Sequence, residues 1–409
     1  MTKLIPHTAA NGGAHPLRHL AGVDGLRGIA ALSVLLFHVQ RAFNPGTRNL
    51  PILNEIPFLT HGVTLFFVLS GFLLYLPFAR HLLGFAPCPR TSIYLRNRAL
   101  RIFPAYLTVL LVTTLVLREA WLPKTAAGGG SHIGMLSAPD TFVAALLLQS
   151  FTPRTIRSGL EVAWTLGVEI TFYLVLPLLV AAARTYRHRQ TSPLRRALLP
   201  AGILCLVGIG GKLWLAYAET GMKSGDRVNF EWGQAWSAVI ARSILIHGDL
   251  FAYGMVAAIL FAVVAHHPAW LRVVRGCRPL LLTSAAVIAV GVVAGSISGP
   301  FTTSTLALAC AALILANASA PASASLARFT DSSLLRMTGR ISFGIYLWHF
   351  PIIHWLYDRD LYFSDTPWGF LANLALVGVP TVILAAVSFH IIEKPVLRLK
   401  RWGTAWGIG

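Results

Sequence analysis

The stretch at 22–43, GVDGLRGIAALSVLLFHVQRAF, constrains this chain more than any other. It is apolar enough to cross a bilayer, yet it carries Asp24, Arg27 and His38. A helix turns about 100° per residue, so residues eleven apart return to within roughly 20° of one another. Arg27 and His38 therefore share a face, about 16 Å apart along the axis at ~1.5 Å per residue. Asp24, three residues before Arg27, falls on the same side. Ionisable groups are costly inside a bilayer, so such a stripe must face a polar interior rather than lipid. The rest of the chain is expected to build the wall around it.

Composition agrees. Of 409 residues 55% are hydrophobic and only 12% charged, against about 25% charged in a soluble domain. Apolar runs recur at 22–43, 61–80, 99–118, 164–184, 197–217, 246–265, 279–297, 301–319, 337–357 and 368–391. Each has about the 17–25 residues that a bilayer requires. A further run at 141–151, TFVAALLLQSF, would rise only about 16 Å as a helix against a ~30 Å hydrocarbon core. It is expected to be interfacial or re-entrant.

Charge placement supports that choice. Ten spans put 22 of the 34 Lys and Arg on one side and ten on the other, with Arg27 and Lys212 inside spans. The richer side is read as cytoplasmic, and making 141–151 a span would invert every later loop. The expected fold is all-α: a polytopic integral-membrane bundle of about ten transmembrane helices with both termini cytoplasmic. Residues 1–20 are expected to be a disordered tail, 21–398 the membrane domain and 399–409 a second tail. The first helix is too long for a signal-peptide core and lacks a cleavage site, so it is expected to stay.

The net charge of +19 is topological rather than a nucleic-acid footprint, because no basic helix or aromatic platform accompanies it. Cys88, Cys205, Cys277 and Cys310 form no CxxC pair and suit neither a zinc site nor a disulfide framework. The histidines show no metal-ligand spacing on a single helix. Two outer loops are long: 119–163, with three glycines at 128–130, and 218–245, with Trp232 and Trp236. They read either as lids or binding loops or, for the tryptophans, as interfacial anchors.

Several residues could carry chemistry. His38 is either a core histidine bonded to a neighbouring helix or a base for a hydroxyl, and it could itself be acylated. Ser70 and Gly71 interrupt the aromatic run HGVTLFFVLSGFLLYLPFAR. They either let backbones approach closely or form a slot for an acyl chain or pantetheine arm. In YLRNRALRIFPAYL, Arg98 and Arg101 lie three apart on one face at the inner surface. They are topological charge or, equally, a mouth for the phosphates of a nucleotide-bearing donor. Glu169 lies about five residues from the outer end of its span, as His38 does in its own, so the two are expected to share a depth. Tyr346 and His349 fall in the middle or outer half of 337–357, and with Asp24 are candidates for contacting substrate. Glu393 and Lys394 read as an end-of-helix polar pair, stopped by Pro395.

In order along the chain, GVDGLRGIAALSVLLFHV, FFVLSGFLL, RNRALRIFPAY, WTLGVEITFYLVLPLL, FGIYLWHFPI and EKP resemble acyltransferase family 3. These are ten-helix membrane O-acyltransferases with an Arg-x10-His motif, here Arg27 and His38. The resemblance covers about residues 20 to 400. It implies transfer of an acyl group, usually acetyl from acetyl-CoA, to a hydroxyl of a surface polysaccharide, peptidoglycan, lipid or antibiotic. It also implies that His38 and Arg27 are the catalytic pair and Glu169 a further functional position, with Arg98 and Arg101 serving the donor. No esterase-like domain is expected after the last helix, unlike in longer members. Size and the alanine- and arginine-rich composition are similar to the macrolide O-acyltransferase branch, though no motif specifies the acceptor.

The resulting expectation is a bacterial plasma-membrane O-acyltransferase with acyl-CoA as donor and no permanently bound cofactor. Arginines would hold the donor phosphates, the pantetheine arm would pass Ser70, and His38 would meet the acceptor hydroxyl. The rival from another class is a transporter or flippase using the same polar tunnel, against which no duplicated halves are found.

Overall fold

A computed structural model describes residues 20, 22–49, 53–122, 133–186, 192–321 and 323–398. Both expected tails, apart from residue 20, and the glycines at 128–130 lie outside the described residues. The chain is a helical bundle. Helix α1 (Val23–Phe43) is followed by α2 (Gly62–Leu82) and α3 (Thr91–Leu111), which runs on into a π turn at Val112–Leu117. A short antiparallel pair, β1 (Ala120–Trp121) and β2 (Ile133–Gly134), sets Ala120 opposite Gly134. The short apolar run at 141–151 becomes α4 (Ala138–Ala145) and a 3-10 turn at Gln149–Phe151. Eight residues of helix cannot cross a bilayer, and the exposure of Phe142, Leu146, Leu148 and Phe151 suits an interfacial position.

Then come α5 (Trp164–Thr185) and α6 (Pro193–Ala218). The second long loop folds into α7 (Ser224–Trp232) and α8 (Trp236–Ala241) before α9 (Ile244–His266). Next are α10 (Pro268–Gly276), α11 (Arg278–Val293), α12 (Thr302–Ala318) and α13 (Ser325–Thr330). The bundle closes with α14 (Ser333–Tyr357) and α15 (Pro367–Ser388), which passes into a π turn at Phe389–Glu393.

Among the described residues seven helices are long and apolar enough to cross a membrane, or eight if α10 and α11, bent by 47°, form one span. The ten expected spans are thus not all matched. The run at 301–319 forms a helix of only 17 residues, α12. The run at 337–357 forms the 25-residue α14, which fails on polarity rather than length. Its Thr338, Ser342, Tyr346 and His349 are buried against other helices, so it need not match lipid.

Two backbone crossings set the frame for the site. Along α1 and α14, a Cβ on Gly339 would lie 1.8 Å from the Asp24 carbonyl oxygen, and one on Gly28 would lie 3.0 Å from the Gly339 nitrogen. Along α2 and α9, a Cβ on Gly71 would lie 2.2 Å from the Phe251 carbonyl oxygen, and one on Gly254 would lie 2.0 Å from that of Val68. Only hydrogen at these positions permits such close approach. The core fills around them with Phe67, Phe72, Tyr75, Phe78, Tyr106, Phe172 and Phe251, all fully buried.

Candidate active site

Two cavities share Val63 and Tyr346 as a common wall. The larger, about 470 Å³, lies toward the end of the bundle where α1 finishes, and His38, Arg41, Arg157, Glu161, Trp164 and Trp232 are among its lining residues. The smaller, about 50 Å³, is lined by Arg27, Phe66, Phe67, Thr165, Glu169 and Phe343 among others. Arg27 and His38 thus open into adjoining spaces along one face of α1, as their spacing predicts.

The hydrogen bonds of His38 fix its tautomer. Its Nδ1 lies 2.9 Å from the carbonyl oxygen of Val34, which can only accept, so Nδ1 carries the proton. The same reasoning applies to His349, whose Nδ1 lies 3.1 Å from the Ile345 carbonyl oxygen. His349 Nε2 is therefore an acceptor, and it sits 3.2 Å from His38 Nδ1. The His38 N–H is shared between the Val34 carbonyl and His349, which leaves a lone pair on His38 Nε2. Rings of Phe37 and Phe350, edge-on at 5.0 and 5.1 Å, hold the imidazole in place. His349, fully buried, is a positioning partner rather than a cavity-lining group.

Glu169 does not reach His38. Its Oε1 accepts from Ser70 Oγ at 3.0 Å and its Oε2 from Tyr173 OH at 2.6 Å, and it faces the same small cavity as Arg27. Counting residues from helix ends misplaced it, because that assumes both ends lie at one level. Trp164, the first residue of α5, lines the large cavity with His38, whereas Glu169, about 7.5 Å further along α5 at ~1.5 Å per residue, lines the small one. The Ser70-Gly71 pair divides its work: the serine binds the carboxylate, and the glycine admits α9.

Tyr346 OH donates to the Val162 carbonyl oxygen at 2.9 Å and lies 2.9 Å from Thr165 Oγ1, which ties this boundary between the cavities to the start of α5. Asp24 is half-buried and lines neither cavity.

Toward the basic end, where α1 begins and α2 finishes, a third space of about 280 Å³ is lined by Pro77, Phe78, Arg90, Tyr94, Asn97 and Arg98 among others. Tyr94 OH, Asn97 Oδ1 and Arg98 Nε there are buried without a hydrogen-bond partner, as is Arg27 Nε in the small cavity. Unmade bonds of this kind are costly and mark places that a polar ligand can satisfy. Arg101 does not line this space; it lies 3.8 Å from Glu393. Glu393 is almost wholly buried with no hydrogen bond to either oxygen. The end-of-helix reading of Glu393 is therefore replaced by a buried counter-charge to the arginines.

The rim of the large cavity is aromatic and ionic. Arg157 pairs with Glu161 and stacks 3.8 Å from the Trp121 ring centre. Arg242 lies 4.2 Å from that of Trp232. Tyr173 escaped the sequence reading although its position four residues after Glu169 is a signal for contact. The pairing of His38 with His349, 311 positions apart, carries no such signal. Among the described residues no group of three His, Cys, Asp or Glu side chains could hold a metal ion.

Over 399 residues the chain is 22% identical to the O-acetyltransferase OatA of Staphylococcus aureus, covering 93% of this chain and 57% of that protein. It is 26% identical to Nodulation protein 10 of Rhizobium leguminosarum bv. viciae, covering 94% and 95% respectively. It is 25% identical to the putative peptidoglycan O-acetyltransferase YrhL of Bacillus subtilis, covering 93% and 55%. The chain thus spans somewhat over half the length of the two named O-acetyltransferases. No solved structure matches. The family defined by the Acyltransferase domain, Acyl_transf_3, matches residues 20–390, and the chain belongs to that family.

Proposed function

We propose that the protein transfers an acyl group, acetyl in the simplest case, from acyl-CoA to a hydroxyl of an acceptor bound in the large cavity. The observation that carries this reading is that His38, whose Nδ1 is engaged by Val34 and His349, lines a cavity walled by Tyr346 against the Arg27-Glu169 space. The donor phosphates rest at the basic end, read as cytoplasmic in a bacterial plasma membrane, where Arg98 and the unpaired Tyr94 and Asn97 atoms lie. The pantetheine arm passes Ser70, Glu169 and Arg27 to bring the thioester to His38.

His38 Nε2 then takes the proton of the acceptor hydroxyl as its oxygen attacks the thioester carbonyl. The C–S bond breaks, CoA leaves as thiolate, and the proton returns from His38 to that sulfur. His349 keeps Nδ1–H directed and shares the charge that develops on the ring. The aromatic walls and the Arg157-Glu161 pair suit a sugar ring. Relatives named for O-acetyltransferase activity favour a cell-envelope glycan, and a macrolide sugar presents the same hydroxyl chemistry.

Mass spectrometry of the purified protein with acetyl-CoA and a panel of macrolides and cell-envelope sugars tests this, with His38→Ala as control. A product heavier by one acetyl group and lost in the variant is expected. Normal turnover by folded His38→Ala protein would overturn the assignment.

A further inference from the structure

A fourth space adjoins the proposed donor mouth and shares no lining residue with the three above. It measures about 640 Å³ and sits where α2 and α5 end and α6 begins. Its lining includes His81, Arg184, Thr185 and Arg196 and, among the described residues, no acidic side chain. We propose that it is a phosphate-binding site, occupied either by the headgroup of an anionic phospholipid or by the nucleotide phosphate of the donor. The second source rests on the acyl-CoA reading above; the first does not.

Topological charge alone does not account for this arrangement. Lysines and arginines that only orient a membrane protein can stand apart in solvated loops. Here three basic groups from three helices converge on one cavity, and Arg196 Nε is buried without a partner. His81 Nδ1 donates to the Ala86 carbonyl oxygen at 3.2 Å, which holds the ring in place at the cavity wall. The first turn of the 26-residue α6, with Pro193 in the lining, adds the positive end of a helix dipole. Tyr75 OH donates to the Ala197 carbonyl oxygen at 2.6 Å, so α2 and α6 are fixed relative to each other before any ligand arrives. Guanidinium groups so placed match the paired oxygens of a phosphate, and basic pockets between membrane helices bind lipid headgroups. The strap at 84–90 divides this space from the donor mouth: Cys88 Sγ lies 3.8 Å from Arg184 Nη1, while Pro89 and Arg90 line the mouth.

The test uses the full chain in nanodiscs and reads binding, not turnover, so its failure is separable from failure of the acyltransfer reading. Calorimetry with adenosine 3′,5′-bisphosphate probes the nucleotide source. Native mass spectrometry of retained phosphatidylglycerol probes the lipid source. One of the two should bind wild type and weaken at least ten-fold in R184Q/R196Q, with R195Q, a neighbouring exposed arginine, unchanged. Should the double variant misfold, R184Q alone, altered at an exposed side chain, should still weaken binding several-fold. Loss confined to one probe identifies the source. Binding of neither probe by wild type, or equal effects of R195Q and R184Q/R196Q, would overturn the proposal.

Discussion

At the scale of single residues the site depends on where protons sit. General-base help is worth about 10²–10⁴ in rate, so His38→Ala should keep its fold and lose turnover by that factor, checked by initial rates at equal membrane abundance. His349 acts through His38, which gives it a different signature. Glutamine at 349 retains an acceptor for the His38 N–H and leucine does not, and an unmade buried bond costs about 1–3 kcal/mol. His349→Leu should therefore lower kcat about ten-fold or more with donor KM little changed, and His349→Gln should recover part of it.

At the scale of elements, close helix crossings and the outer helices decide the shape of the cavities. A valine at Gly71 would drive its Cβ into the Phe251 carbonyl oxygen, 2.2 Å away. Overpacking of this kind costs about 1–3 kcal/mol, and Gly71→Val should melt several degrees lower in detergent. The α7 helix contributes Val228 and Trp232 to the large cavity, and its Glu231 is pushed up to about 7 by burial and by the neighbouring Glu219 carboxylate. An acid raised in the docked state holds its proton from about pH 4.3, its usual value, up to 7. Docked α7 is thus favoured at low pH and loses that stabilisation as pH rises through the window. Amide exchange across 224–232, corrected for its intrinsic pH dependence, should quicken over that interval, and Glu231→Gln should flatten the response.

At the scale of the whole molecule, one buried cluster locks three helices behind the site. Lys212 of α6 donates to Asp249 of α9 at 2.6 and 2.5 Å and to Ser304 of α12 at 2.8 Å. His247 of α9 packs against Phe67 and Trp164, which wall the two cavities. Removing one member of a buried pair costs about 3–5 kcal/mol, whereas replacing both with apolar groups is often neutral. Thermal unfolding should accordingly show a large loss for Lys212→Met and near-recovery for Lys212→Met/Asp249→Leu.

The helical membrane class, the face shared by Arg27 and His38, and the order of the family motifs can all be read from the residues in order. These follow from local periodicity, and helix geometry repeats wherever it occurs. Even the failure of the 141–151 run to form a spanning helix was legible, because length alone excludes a span. Tertiary structure alone decided which groups meet. It paired His38 with His349 and set Glu169 beside Ser70, Tyr173 and the Arg27 cavity. It also buried Glu393 near Arg101 and turned α14 inward, so that a helix counted as a span need not be lipid-like. Depth and partnership depend on how far helices slide and rotate past one another at their glycine crossings, and that offset is written in no single helix.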